Sequence, residues 1–243
     1  MTPREPVGHL LSRRQMVSLL GATGALWLMG GGLFSRQSLA GAQIPSCVVR
    51  PEQTEGPYFV DERLNRSDIR SDPTTGQAKP GTPLALTLQI FRLGSGDCQP
   101  LAGAQVDIWH CDALGIYSDV RDAGFNTIGQ KFLRGYQITD ARGEAKFVTI
   151  YPGWYAGRTV HIHVKVRTAH AAERHSEFTS QMYFDDGLTD RVYADQPYAS
   201  KGRRNARNQD DRIFRRGGDQ LMLAPTATAD GYAATFAVGL QLS

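Results

Sequence analysis

Tyr151-Pro152-Gly153-Trp154-Tyr155-Ala156-Gly157-Arg158-Thr159-Val160-His161-Ile162-His163-Val164-Lys165-Val166 is the stretch that decides how the chain is read. Its second half alternates. Val160, Ile162, Val164 and Val166 fall on one parity, and His161, His163 and Lys165 on the other. A period of two with aliphatic residues on one side predicts a strand with one apolar face. Residues two apart on a strand point the same way, roughly 6.5–7 Å apart, so the two imidazoles can converge on one metal ion. The first half is a loop punctuated by Pro and Gly that carries two tyrosines, a tryptophan and Arg158. Such a loop can bring a phenol back to the histidines. A His-X-His pair is weak evidence by itself, because polar pairs on strand faces are common.

The same alternation recurs on both sides of this stretch. Leu84, Leu86, Leu88 and Ile90 mark a strand over residues 84–91, and Val106 and Ile108 mark another over 104–110. Residues 132–139 and 144–150 read as two strands around the turn Asp140-Ala141-Arg142-Gly143, and residues 177–184 follow the histidine strand. A closing hairpin is expected from residues 221–226 and 232–242 across Thr228-Ala229-Asp230-Gly231. Short strands with turn signals at regular intervals predict an all-β fold, a β-sandwich of mainly antiparallel strands with long loops and little helix. Residues 185–216 are polar, with one short helix expected near Thr189. Their basic cluster of Lys201, Arg203, Arg204 and Arg207, flanked by Asp210 and Asp211, reads as a solvated loop.

Residues 84–243 are thus the domain proper, preceded by an arm, residues 43–83, that has no helix pattern. Residues 1–42 read differently. Ser12-Arg13-Arg14-Gln15-Met16 precedes an apolar, glycine-rich run over residues 17–34, and Ala40-Gly41-Ala42 follows. A basic start, an apolar run and a small-residue site make an export signal, and the paired arginines make it the twin-arginine kind. Cleavage is expected after Ala42, giving a periplasmic or extracellular protein without stable membrane insertion.

The 243-residue chain carries a formal charge of +3. Residues 1–42 hold Arg4, Arg13, Arg14 and Arg36 against Glu5, so that excess belongs to the leader. A balanced remainder offers no global field for nucleic acid or anionic lipid. Of the three cysteines, Cys98 and Cys111 bracket one expected strand. They would stand roughly 20 Å apart, beyond bridging reach, so an intrachain disulfide would use Cys47. No Cys-X-X-Cys is present to suggest structural zinc.

Tyr117 ends the run Cys111-Asp112-Ala113-Leu114-Gly115-Ile116-Tyr117, a loop at the end of a core strand. Taken together, several segments resemble the intradiol ring-cleavage dioxygenases, the non-haem ferric enzymes that include catechol and protocatechuate dioxygenases. They are Thr54-Glu55-Gly56-Pro57-Tyr58, residues 106–118, residues 132–143, the stretch quoted above and Ser180-Gln181-Met182-Tyr183-Phe184. They occur in the family's order between Thr54 and Phe184.

The resemblance implies Fe(III) bound by two tyrosinates and two histidines. On this chain they correspond to Tyr117, Tyr151, His161 and His163, with Tyr155 a rival to Tyr151 that the proline after Tyr151 disfavours. It also implies three catalytic side chains. Arg158 would stabilise anionic charge on the ring, Tyr151 would leave the metal and act as base, and Gln181 would lie near the site. The implied substrates are a catechol-type compound and O2, and the implied product is a muconate-type diacid. Anionic phenolates suit a hard, highly charged ion.

Gly153 after the proline and the short span from Tyr151 to His161 depart from the family pattern, which leaves the preferred ring substituent open. Residues 43–83 are too few for the helical dimerisation domain of catechol dioxygenases, so the architecture is nearer the protocatechuate type with all four ligands on one chain. The sequence leaves a homo-oligomer open. The competing reading is an exported sandwich that binds a metal or a catechol without turnover. A cupin would want a glutamate where Arg167 and Thr168 stand, and a zinc hydrolase would leave the tyrosines unexplained.

Overall fold

The computed structural model describes residues 48–94, 97–169 and 175–241. The leader and Cys47 lie outside them. Two sheets form the sandwich. In the first, β1 (Pro83–Leu93) pairs antiparallel with β2 (Cys98–Pro100) and β5 (Glu144–Ile150) and parallel with β9 (Tyr232–Leu240), and β8 (Thr226–Ala227) follows β9. The second is antiparallel throughout, in the order β4 (Arg134–Ile138), β3 (Gln105–Trp109), β6 (His161–Ala169), β7 (His175–Tyr183).

The alternating residues become the core. Leu84, Leu86, Leu88 and Ile90 of β1, with Phe236 and Val238 of β9, form one cluster with Val106 and Ile108 of β3 and Ile162, Val164 and Val166 of β6, each at most 1 % exposed. Full burial of an aliphatic side chain is worth about 1.5–3 kcal/mol, so these positions fix which face of each strand turns inward. The opposite parity of the second sheet then faces outward. Register places Arg134, Trp109, His163 and Gln181 in one row across all four strands, with His161 opposite Tyr183.

The middle of the arm packs over that outer face, while Val49 bridges to Gly239 of β9 and Asp68 to Val148 of β5. Gln53 N donates to Thr179 O at 2.9 Å, and Arg66 N and Tyr136 N exchange hydrogen bonds with the Tyr136 and Leu64 carbonyls. Charges tie it further, through Glu55 to Lys165 and Asp61 to Arg167.

Three expectations change in the later part of the chain. The hairpin's first strand shrinks to Thr226–Ala227; Pro225 before it has no N–H to give a ladder, and residues 218–221 form a single 3-10 turn instead. The helix α1 runs over Asp186–Val192, beginning earlier than Thr189 because the Asp185 side chain caps it, accepting from Leu188 N. The basic cluster is not simply a solvated loop: the Arg204 side chain is 5 % exposed, paired with Asp186 and Asp190. Cys98 is disulfide-bonded and Cys111 is a buried free thiol; the expected role of Cys47 falls outside the described residues. Among those residues, no helix is long and apolar enough to cross a membrane.

Candidate metal centre

His161 and His163 leave β6 on the outer face with their Nε2 atoms 3.1 Å apart. Both are buried, at 2 % and 1 % exposure. Nδ1 of His161 lies 2.6 Å from the Thr159 carbonyl. A carbonyl only accepts, so Nδ1 carries the proton and Nε2 presents a lone pair, the tautomer a metal requires. His163 is held by its flat neighbour: the Trp109 ring stacks on it at 4.8 Å and 4°.

Two phenols meet these imidazoles. Tyr155 Oη stands 3.1 Å from His161 Nε2. The Tyr117 ring lies 6.2 Å from that of His163 and 5.7 Å from that of Tyr155. Tyr58 of the arm covers it, stacked at 4.5 Å and anchored by its hydroxyl to Asp122 at 2.6 Å. The Tyr117 hydroxyl, buried, makes no hydrogen bond, nor does His163 Nδ1. Trp109 Nε1 is likewise without a partner; a buried unsatisfied polar group is costly, and the Tyr117 hydroxyl is the one that belongs to the group of two phenols and two imidazoles.

Tyr151 is elsewhere, which corrects the expectation for its position. Its hydroxyl is 2.8 Å from Thr189 Oγ1 on α1, and its ring packs against Phe184 at 4.3 Å. Strand parity explains this. Ala145, Phe147 and Thr149 of β5 are buried on one parity, and Tyr151 continues it inward, held by its N–H to Thr82 O at 2.8 Å. Tyr155 follows the irregular segment Pro152-Gly153-Trp154 and lies on the outer face, against His161. Extending the β5 alternation by one residue past the strand would have favoured Tyr155 from sequence.

Arg158 joins the cluster with all its arms engaged. Nη1 is 3.4 Å from Tyr155 Oη, Nη2 donates to Gln181 Oε1, and Nε donates to Asp211 Oδ2 at 2.8 Å. Gln181 is fixed in turn, donating to Thr54 O at 2.9 Å and accepting from Tyr183 OH at 3.0 Å. Sequence reasoning missed Asp211, which lies 53 positions from Arg158 and carries no local signal. It also missed Trp109 as the platform for His163.

The electrostatics suit a cation. Burial pushes the Tyr155 phenol up to about 12 and Tyr117 further above its ordinary value, so neither ionises alone at neutral pH. Burial, followed by the Arg158 charge, holds His161 well below its usual range; for His163 burial is followed by His161 and then Arg158. For Arg158 itself, burial opposes the charge, but Tyr155 and Asp211 outweigh it and its pKa is raised. Among the described residues, no three His, Cys, Asp or Glu side chains gather as a metal site. Two neutral imidazoles and two phenols are the donor set instead, and it fits a hard trivalent cation such as Fe(III), which can stabilise the phenolate form.

The Dioxygenase_C family model, described as Dioxygenase, matches residues 54–210. The chain is 26 % identical over 151 residues to chlorocatechol 1,2-dioxygenase of Pseudomonas putida, covering 55 % of this chain and 53 % of that protein. It is 30 % identical over 159 residues to the protocatechuate 3,4-dioxygenase beta chain of Burkholderia cepacia, covering 60 % and 66 %. The chain spans between about a third and about half the length of the first curated relatives it matches. Among solved structures, an intradiol ring-cleavage dioxygenase from Tetranychus urticae superposes with a TM-score of 0.68 at 30 % identity, over 80 % of this chain and 95 % of that one.

Proposed function

The chain belongs to the intradiol ring-cleavage dioxygenases, and from that premise we propose that it uses Fe(III) and O2 to open a catechol-type ring between its two hydroxylated carbons, giving a muconate-type diacid. The observation that carries this is the convergence of Tyr155, His161 and His163 within 3.1 Å contacts beside the unpartnered Tyr117 hydroxyl. Tyr117, Tyr155, His161 and His163 would hold the metal. Bound Fe(III) supplies a Lewis acid that lowers the pKa of a catechol hydroxyl and draws electron density from its ring.

The side chains have separable roles in this reading. Tyr117, covered by Tyr58, is the permanent phenolate. Tyr155 is only partly buried, and its Oη, 3.4 Å from Arg158 Nη1, is the atom placed to take a proton from an incoming hydroxyl. Arg158 stabilises the negative charge that develops on the ring. Gln181 and Asp211 orient it. Trp109 shields His163 and keeps water from that side.

The test is direct. Iron-loaded protein should be red-brown from tyrosinate-to-iron charge transfer, and catechol under air should be consumed with one O2 per molecule. A colourless iron-loaded protein would remove the tyrosinate assignment. A colour change with catechol but no O2 uptake would leave a binding protein. For residues 1–42, outside the described structure, we propose export by the twin-arginine route, supported by the Arg13-Arg14 pattern and the apolar run after it.

A further inference from the structure

Lys201 joins the two loops that carry the phenols. Its Nζ donates to the Leu114 carbonyl and to the Trp154 carbonyl. The same ammonium lies 4.7 Å from the centre of the Trp154 ring, whose Nε1 donates to Gly202 O at 3.3 Å. Leu114 stands three residues before Tyr117, and Trp154 immediately precedes Tyr155.

The loops already meet backbone to backbone. Gly153 N donates to Asp112 O at 3.1 Å, and a Cβ at Gly153 would fall 2.4 Å from the carbonyl oxygens of Asp112 and Ala113. At Gly115, with φ +80°, a Cβ would fall 2.1 Å from Trp154 O and 2.2 Å from Lys201 Nζ. Such an approach brings the Leu114 and Trp154 carbonyls to the same ammonium, and neither accepts a backbone N–H among the described residues. Two like dipoles side by side repel. A compact ammonium with three donors between them turns repulsion into two charge-assisted hydrogen bonds. Burial lowers the Lys201 pKa, as expected for a side chain drawn into a seam.

We propose that Lys201 is a positioning residue that clips the Tyr117 loop to the Tyr155 loop and thereby sets the spacing of the two phenols. The consequence for iron rests on the reading that both phenols serve one metal; the clip itself does not. Lys201→Met removes the donors and keeps most of the stem, Lys201→Gln can satisfy one carbonyl, and Arg203→Met, at an exposed position of the same segment, is the control. Hydrogen exchange of the chelator-treated protein should speed up in residues 112–118 and 151–158 in Lys201→Met. In the iron-loaded protein the visible band should move, and iron should pass to a chelator about tenfold faster, the lower end of what losing an outer-shell partner costs. Lys201→Gln should be intermediate and Arg203→Met unchanged. Unaltered loop exchange, band and iron release in Lys201→Met would overturn the proposal, even if the melting temperature fell. Should Lys201→Met fail to fold, Lys201→Gln gives the same readouts. If the wild type has no tyrosinate band, the metal reading fails, and loop exchange still decides the clip.

Discussion

Nε of Arg158 donates to Oδ2 of Asp211 at 2.8 Å, and the Asp211 side chain is only 1 % exposed against 16 % for Arg158. The carboxylate also accepts from the N–H groups of Thr159 and Ile213, at 3.1 and 2.7 Å. A guanidinium held this way presents a fixed edge to Tyr155. Lysine cannot reproduce that planar fork. Arg158→Lys is therefore expected to keep the iron colour and the catechol-induced shift while turnover falls about a hundredfold, the scale of losing one aimed electrostatic stabiliser. Stopped-flow mixing with catechol and O2 measures both. Asp211→Ala should instead cost stability, about 3–5 kcal/mol, because it leaves a largely buried cation without its partner; urea unfolding reads this.

The two tyrosines of the Tyr-Pro-Gly-Trp-Tyr run should separate cleanly. Tyr155→Phe is expected to bleach part of the visible band and weaken iron retention. Tyr151→Phe should leave the band unchanged and lower stability by about 1 kcal/mol, the worth of one buried hydrogen bond, here to Thr189. Absorption spectra and iron content of the two variants decide it, and the reverse pattern would return the ligand role to Tyr151.

His110 contributes to a pH dependence that it shares with His161 and His163, two imidazoles that burial also keeps neutral. It is buried between the Cys111 carbonyl, 2.8 Å from Nδ1, and Thr149 Oγ1, 2.7 Å from Nε2. Burial lowers its pKa to about 4, whereas in the unfolded chain it titrates near 6.5. Between those values the unfolded state binds the extra proton, so stability rises with pH. It should be complete above about pH 6.5 and fall by about 1.4 kcal/mol per unit on acidification towards pH 4. Urea unfolding of iron-loaded protein at pH 7, 6 and 5 should show at least this slope, and His110→Gln should lessen it while leaving the part due to His161 and His163.

Replacing Arg13 and Arg14 by lysine is expected to hold the protein in the cytoplasm, with the exported wild type beginning near Gln43. Fractionation and N-terminal sequencing check both statements. Normal export of the double variant would rule out the twin-arginine route.

The strands were legible because each needs only local alternation, and Leu84–Ile90 or Val160–Val166 carries it without interruption. Tyr155 was harder to read. Choosing it over Tyr151 requires following the parity of one strand past its end and seeing that the chain changes faces between Tyr151 and Tyr155. Asp211 and Lys201 were not legible, since their partners lie at Arg158, Leu114 and Trp154, and no period links such distant positions. The Arg204 region misled for a related reason: a run of charges looks solvated until the acids of a neighbouring helix, here Asp186 and Asp190, are known to face it.

The parallel pairing of β1 with β9 runs from Leu84↔Tyr232 to Arg92↔Leu240. The strand that completes the middle of the first sheet is therefore made almost one hundred and fifty residues after its neighbour. During synthesis β1 must wait with one edge bare until β9 emerges, and closing so long a loop is slow. A bare edge of apolar strand is also where chains adhere to each other. The nascent protein thus passes through a sticky interval whose length is set by translation of residues 93–240. A chain stopped before Tyr232 would leave that edge of β1 without its partner.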